Sequence, residues 1–242
     1  MIRLIGAELL KLRTTRTFWA LAGSAAALVL LIVVLSLALD DQLNTEEDAR
    51  SLLTTASISG LLTLVLGVVV GAGEYRHGTI ASTLLVTPNR LRAVAAQVIA
   101  CLLGGLAIGL AVAALTAAVG IPWLSAKGTD MPDAGDVAGD VLGAVVYAGL
   151  AAALGVAVGA LLRNQVAAVV VVLVTLFVVD PTLSALLEDV APFTLTGLFA
   201  AMSGEEGGDA DLLAPGVAAL IWGLYASLLA VLAAIRTAHR DI

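Results

Sequence analysis

Apolar residues gather along this chain in long blocks separated by short polar stretches. Six blocks stand out, near residues 17–39, 52–73, 93–120, 137–161, 165–187 and 212–235. A bilayer core of about 30 Å takes about 20 helical residues at ~1.5 Å each. The blocks therefore predict an all-α integral membrane protein with six transmembrane helices, in one transmembrane domain covering 1–242. Residues 1–16 pattern differently. Ile2, Ile5, Leu9 and Leu12 share a helical stripe, with Arg3, Glu8, Lys11 and Arg13 around the rest. That is the pattern of an interfacial helix whose apolar side lies in the headgroup boundary and whose bases meet anionic lipid.

Composition agrees, at 60% hydrophobic and 13% charged residues with a mean hydropathy of +1.06. The net charge of −7 averages two compartments and points to no basic or nucleic-acid partner. The charges sort by face. All of the twelve Lys and Arg except Arg50 and Lys127 fall on one face, and only Glu8, Glu74 and Asp241 of the nineteen acids join them. Basic residues stay on the cytoplasmic side. Six spans with both termini cytoplasmic, in the cytoplasmic (inner) membrane, satisfy this split. Cys101 lies within an apolar block and reads as a small hydrophobe. The first block follows basic residues as a secretory signal does, but it is too long for a signal's apolar region of about 7–15 residues and reads as an anchor.

The connections are read in the same way. Thr45-Glu46-Glu47-Asp48 suits a helix start leading into span two. Small-xxx-small pairs at Gly67/Gly71, Gly105/Gly109, Gly139/Gly143 and Gly155/Gly159 predict close helix packing without locating a dimer seam. Residues 122–140 read as a solvated outside loop, whose aspartates lack the order of a calcium loop. Residues 163–165 make a minimal turn that sets spans four and five side by side. Span five is irregular, because 166–179 is apolar for only about 14 residues before Asp180-Pro181. Either the membrane thins there or a kinked helix continues to Leu187. Residues 192–202 are too short to cross twice and suit a re-entrant or interfacial outside segment. Asp180 has two readings. One is a helix-end acid at the outer interface; the other is a pathway or outer-gate acid, since a carboxylate at bilayer centre costs about 2.5–3.5 kcal/mol and usually faces protein or water. Trp222 and Tyr225 read as packing within span six, and Trp19 and Trp123 as interfacial anchors.

The most informative polar stretch is GAGEYRHGTIASTLLVTPNRLR, residues 71–92. A tight turn between membrane helices needs few residues, so about twenty with helical character suggest a contact surface. Ala81 to Val86 are helix-compatible, and Pro88 disfavours helix at Thr87. With the basic N-terminal helix containing Glu8-Leu9-Leu10-Lys11-Leu12-Arg13, the order of spans and the Glu-x-x-x-Gly-Thr and Thr-Pro-x-Arg elements, the chain resembles the permease subunits of type-2 ABC exporters. The resemblance covers most of the chain. It implies that 74–92 is a coupling segment docking on a separate cytoplasmic ATPase, with matching positions at Glu74, Arg76, Gly78, Thr79, Pro88 and Arg90. Together with Tyr75 and His77 these residues make the expected ATPase-coupling interface. It also implies half-helices between spans five and six, and a second copy of the permease or a similar chain to complete the pathway. Family members often carry a Lys where this chain has Gln97, so a role for that Lys is not carried over.

No G-x-x-x-x-G-K-[ST] loop occurs in the sequence, so ATP and Mg belong on the partner subunit and this chain binds no cofactor of its own. His77 and His239 lie apart, without Cys or carboxylates at ligand spacing, which argues against a metal site. The expectation is a transporter subunit without its own ATPase site, moving an unspecified substrate. Two rivals make different demands: a proton- or ion-coupled secondary transporter using Asp180 and Asp140, or a non-transporting scaffold or sensor that recruits a partner through the basic loop.

Overall fold

The computed structural model describes residues 1–39, 45–76, 78, 89–204 and 212–238. Among them the secondary structure is entirely helical, and six helical stretches are long and apolar enough to cross a membrane. The N-terminal helix α1 spans Ile2–Thr14. It ends where Thr15 turns extended and the Thr14 and Thr15 hydroxyls donate to carbonyls of the last turn. Span one, α2 (Arg16–Leu39), buries Ala25, Val29, Val33 and Leu37. A single stripe at i, i+4 marks a peripheral helix with its other faces outward.

Span two begins before the membrane. Thr45 caps α3 (Glu46–Thr54) in a reciprocal pair with Asp48, satisfying two otherwise orphaned donors. A 3-10 turn at Thr55–Ile58 leads into α4 (Ser59–Arg76). Helix α5, span three, runs Arg90–Lys127, with the Asn89 side chain as its N-cap. At about 57 Å it overshoots the ~30 Å hydrocarbon core. This corrects the expected loop over 122–140. The helix passes through Pro122 to Lys127 and stops only at left-handed Gly128, and α6 starts at Ala134, leaving 128–133 as the connection. The reason is packing: Leu124 is fully buried in a cluster with Leu37, Ala49 and Leu52. Lys127 Nζ also donates to the Leu37 carbonyl at 2.9 Å, closing the C-terminus of span one with a cation.

Span four, α6 (Ala134–Leu162), is the axis of the bundle, and span two lies along it. A β-carbon on Gly67 or Gly71 would run into the carbonyls of Ala152 or Val156, and one on Gly155 or Gly159 into those of Leu64 or Val68. Two of the four small-residue pairs thus face each other across one intramolecular seam. Lipid provides no hydrophobic drive between helices, so backbone-to-backbone approach supplies the attraction as van der Waals contact. Thr63 adds a buried hydroxyl bond to the Ala148 carbonyl at 2.7 Å. A β-carbon on Gly105 would run into that same Ala148 carbonyl, which brings span three against α6 beside span two.

Residues 163–164 form the tight turn. Arg163 adopts φ 55 and Asn164 caps the next helix through Ala167 N–H. Span five is continuous: α7 (Gln165–Val174), a π turn at Thr175–Val179 and α8 (Asp180–Leu186). It therefore does not end near Val179, and the helix continues to Leu186. Pro181 offers no N–H to an i→i−4 ladder, and the wider π turn just before it takes up the mismatch. A 3-10 stretch, Glu188–Phe193, then folds back to α9 (Leu195–Ser203), which buries Leu198, Ala201 and Met202. Span six is α10 (Pro215–Ala238). Its Trp222 is fully buried and edge-on to Tyr147 at 5.2 Å, while Tyr225 donates to the Phe193 carbonyl at 3.1 Å. Trp19 is 60% exposed near the start of span one.

Candidate functional site

At one end of the bundle lie α1, the end of span two, the start of span three, the turn between spans four and five, and the end of span six. The last turn of span two is its hub. Glu74 points to α1, and Tyr75 and Arg76 to the turn between spans four and five, because successive positions on a helix are turned by about 100°.

Glu74 Oε1 accepts from Lys11 Nζ at 3.0 Å, and Lys11 reaches Glu8 at 2.6 Å. One ammonium thus bridges two carboxylates from helices far apart in sequence. Glu8 is 6% exposed, a depth at which a carboxylate needs a partner. Burial raises the Glu8 pKa, with the Lys11 hydrogen bond and charge opposing. Burial acts to lower the Lys11 pKa, but the hydrogen bonds and charges of Glu8 and Glu74 outweigh it, and the net direction is upward. Leu12 packs with Ala100 and Cys101 of span three, so this part of α1 seats on protein. The stripe read from the sequence is altered accordingly: Ile2 is 88% exposed, whereas Glu8 and Leu12 go inside.

Tyr75 lies beneath the Arg163 guanidinium, 5.1 Å from ring centroid to Cζ, a cation–π distance. Arg76 Nη1 donates to Gln165 Oε1 at 2.8 Å. Both contacts fall on the turn between spans four and five. Gly78 has φ 67 and its N–H meets the Tyr75 carbonyl at 3.4 Å. A β-carbon there would touch nothing, so glycine is required by the left-handed backbone alone. His77, Thr79, Pro88 and the Ala81–Val86 helix lie outside the described residues, as does the side chain of Arg90, whose backbone opens α5. Gln97 is buried, 6% exposed, within span three.

At the opposite end, Asp180 is 4% exposed and accepts the Thr196 N–H at 2.9 Å. Thr194 accepts from Gly197 N–H at 3.1 Å. Two side chains thus satisfy the first turn of α9, and a carboxylate at a helix N-terminus meets a favourable dipole. Asp140 is held by Arg50 at 2.6 and 3.0 Å in a bidentate pair, and a β-carbon on left-handed Gly204 would overlap its carboxylate. Span two, span four and the end of α9 therefore meet around one ion pair. Among the described residues, no three His, Cys, Asp or Glu side chains converge as metal ligands.

Sequence reasoning singled out Glu74, Tyr75 and Arg76 but missed three residues that meet them. Lys11, Arg163 and Gln165 were counted as topology and turn residues. One signal was available: Glu8 lies four positions before Leu12 and three after Ile5, on the face that α1 buries.

No individual curated protein matches the chain. A family model described as "ABC-2 family transporter protein" matches residues 4–179, from α1 through the π turn of span five. That is well over half the sequence and takes in both α1 and the hub. This multi-pass membrane protein belongs to the ABC-2 transporter family, as a permease component of an ABC transporter.

Proposed function

We propose that the chain is the membrane-spanning half of an ABC exporter, driven by a separate ATPase that docks on 74–90 at the basic end of the bundle. That end is cytoplasmic in this reading, with both termini beside it in the inner membrane, and a second copy or a similar chain completes the pathway. ATP and Mg are held by the partner. The observation that carries the reading is the hub at Glu74–Tyr75–Arg76, at the start of the coupling segment, with ties to α1 through Lys11 and to residues 163 and 165. A displacement of the segment is thereby passed to α1 and to spans four and five as well as to spans two and three. Movement of packed rigid elements of this kind is how small shifts become domain motions. The Asp180 carboxylate is engaged in capping α9, which favours a positioning role over a proton-carrying one.

The test is purification of the full chain from its own membranes in mild detergent, beside a variant carrying Glu74→Arg and Gly78→Trp. Recovery of a P-loop ATPase with the natural chain, and its loss with an inserted, folded variant, is the expected result. Failure to recover an ATPase even after crosslinking would remove the proposal.

A further inference from the structure

Between spans four, five and six lies a cavity of about 500 Å³, with Leu161, Leu162, Val171, Thr175, Tyr225 and Leu232 among its walls. Its polar groups are already used: the Thr175 hydroxyl donates to the Val171 carbonyl at 2.9 Å and the Tyr225 hydroxyl to Phe193 at 3.1 Å. Nothing there rewards a polar ligand, and an apolar space of this kind does not hold water. The cavity opens sideways, since its own wall residues Val171, Leu228 and Leu232 are 47%, 54% and 52% exposed. In a membrane, that opening faces acyl chains.

Length and charge narrow the occupant. From Tyr225 to Arg236 along span six is about 16 Å of helix, close to one leaflet's share, ~15 Å, of the hydrocarbon core. At the basic end Arg236 is exposed and donates Nη1 to the carbonyl of the wall residue Leu161 at 3.0 Å. A guanidinium carries five N–H donors and pairs well with phosphate. Arg163 follows the wall residue Leu162 directly. Basic pockets between membrane helices at this level suit anionic headgroups.

We infer that this groove binds an anionic phospholipid from the leaflet at the basic end, with one acyl chain between spans five and six and its phosphate at Arg236. The lipid is a bound component that fills the gap beside span five, and the inference stands whether or not the ATPase reading holds.

The experiment reconstitutes the full chain with equal phosphatidylglycerol and phosphatidylcholine, each in turn carrying an acyl-chain diazirine. Labelled peptides are mapped after illumination. Phosphatidylglycerol is expected to label Val171–Thr175 and Leu228–Leu232 at least fivefold more than phosphatidylcholine, and Arg236→Gln to bring it down to the phosphatidylcholine level. Leu229→Trp, which fills the groove, is expected to reduce labelling by both lipids there while leaving span one unchanged. Equal labelling by both lipids that ignores Arg236→Gln would overturn the inference. So would labelling spread evenly over the outer faces of spans one and five. Disulfide formation between copies bearing Leu229→Cys in native membranes would also overturn it, by assigning the groove to a second copy of the chain.

Discussion

Lys11 of the N-terminal helix and Glu74 at the end of span two, sixty-three positions apart, meet at 3.0 Å, and this contact fastens α1 to the residue that opens the proposed coupling segment. Replacing Lys11 by Ala leaves Glu8 buried without its partner. Removing one member of a fully buried pair costs about 3–5 kcal/mol. The Lys11 side chain is 52% exposed, so solvent screening brings the expected cost to about 1–2 kcal/mol. Faster hydrogen exchange over 2–14 is the readout. Adding Glu8→Gln to Lys11→Ala is expected to recover part of the loss, because the orphaned charge is gone.

The same contact sets a pH dependence. A base whose folded pKa is raised contributes stability that is present below its ordinary pKa and is lost as pH rises through the folded value. For Lys11, whose ordinary value is 10.5, protection of α1 is expected to hold to about pH 10 and to fall above that. Glu8 shifts stability in the same direction with pH: its pKa is also raised, so its burial opposes folding while it is charged. That cost is relieved as pH falls through its folded pKa, above the ordinary 4.5. Exchange over 2–14 followed against pH tests both steps, each a loss of protection as pH rises, and Lys11→Ala is expected to remove the alkaline one.

The seam between spans two and four leads to a different test. Gly67→Ala and Gly155→Ala each place a methyl against backbone, where no side chain can turn away, and overpacking of this sort costs about 1–3 kcal/mol. Gly73→Ala meets nothing and is the control. Thermal unfolding in detergent should show a lower midpoint for the first two variants and little change for the third.

At Asp180 the carboxylate and an amide differ in charge but both offer an oxygen acceptor. Asp180→Asn is expected to keep the Thr196 N–H bonded and to retain flux, whereas Asp180→Ala loses the cap, at about 0.5–2 kcal/mol, and loosens α9. Abolished flux in a folded Asp180→Asn protein would point instead to proton carriage.

Much of the architecture was legible because a bilayer imposes a length on every crossing. Blocks near twenty residues, the capping pattern at Thr45 and the small-residue pairs could all be read from spacing. Two boundaries were not. Pro122 and the aspartates that follow look like loop chemistry, yet Leu124 has a core position to fill and Lys127 a helix end to close. Asp180-Pro181 looks like a helix end, yet a π turn carries the chain past it. In both places tertiary contacts outweigh local preference. The hub was half legible: Glu74, Tyr75 and Arg76 stood out in a polar stretch, but spacing along the chain gives no sign that Lys11, Arg163 and Gln165 converge on them.

The central claim is that 74–90 receives an ATPase whose nucleotide state the permease senses. Coupling requires the permease to bind the two nucleotide states unequally, since equal affinity shifts nothing. The decisive measurement is the affinity of the reconstituted full chain for its co-purifying ATPase, nucleotide-free and ATP-trapped. The account predicts different affinities in the two states, with Glu74→Arg weakening binding in both. Equal affinities that Glu74→Arg leaves untouched would contradict it.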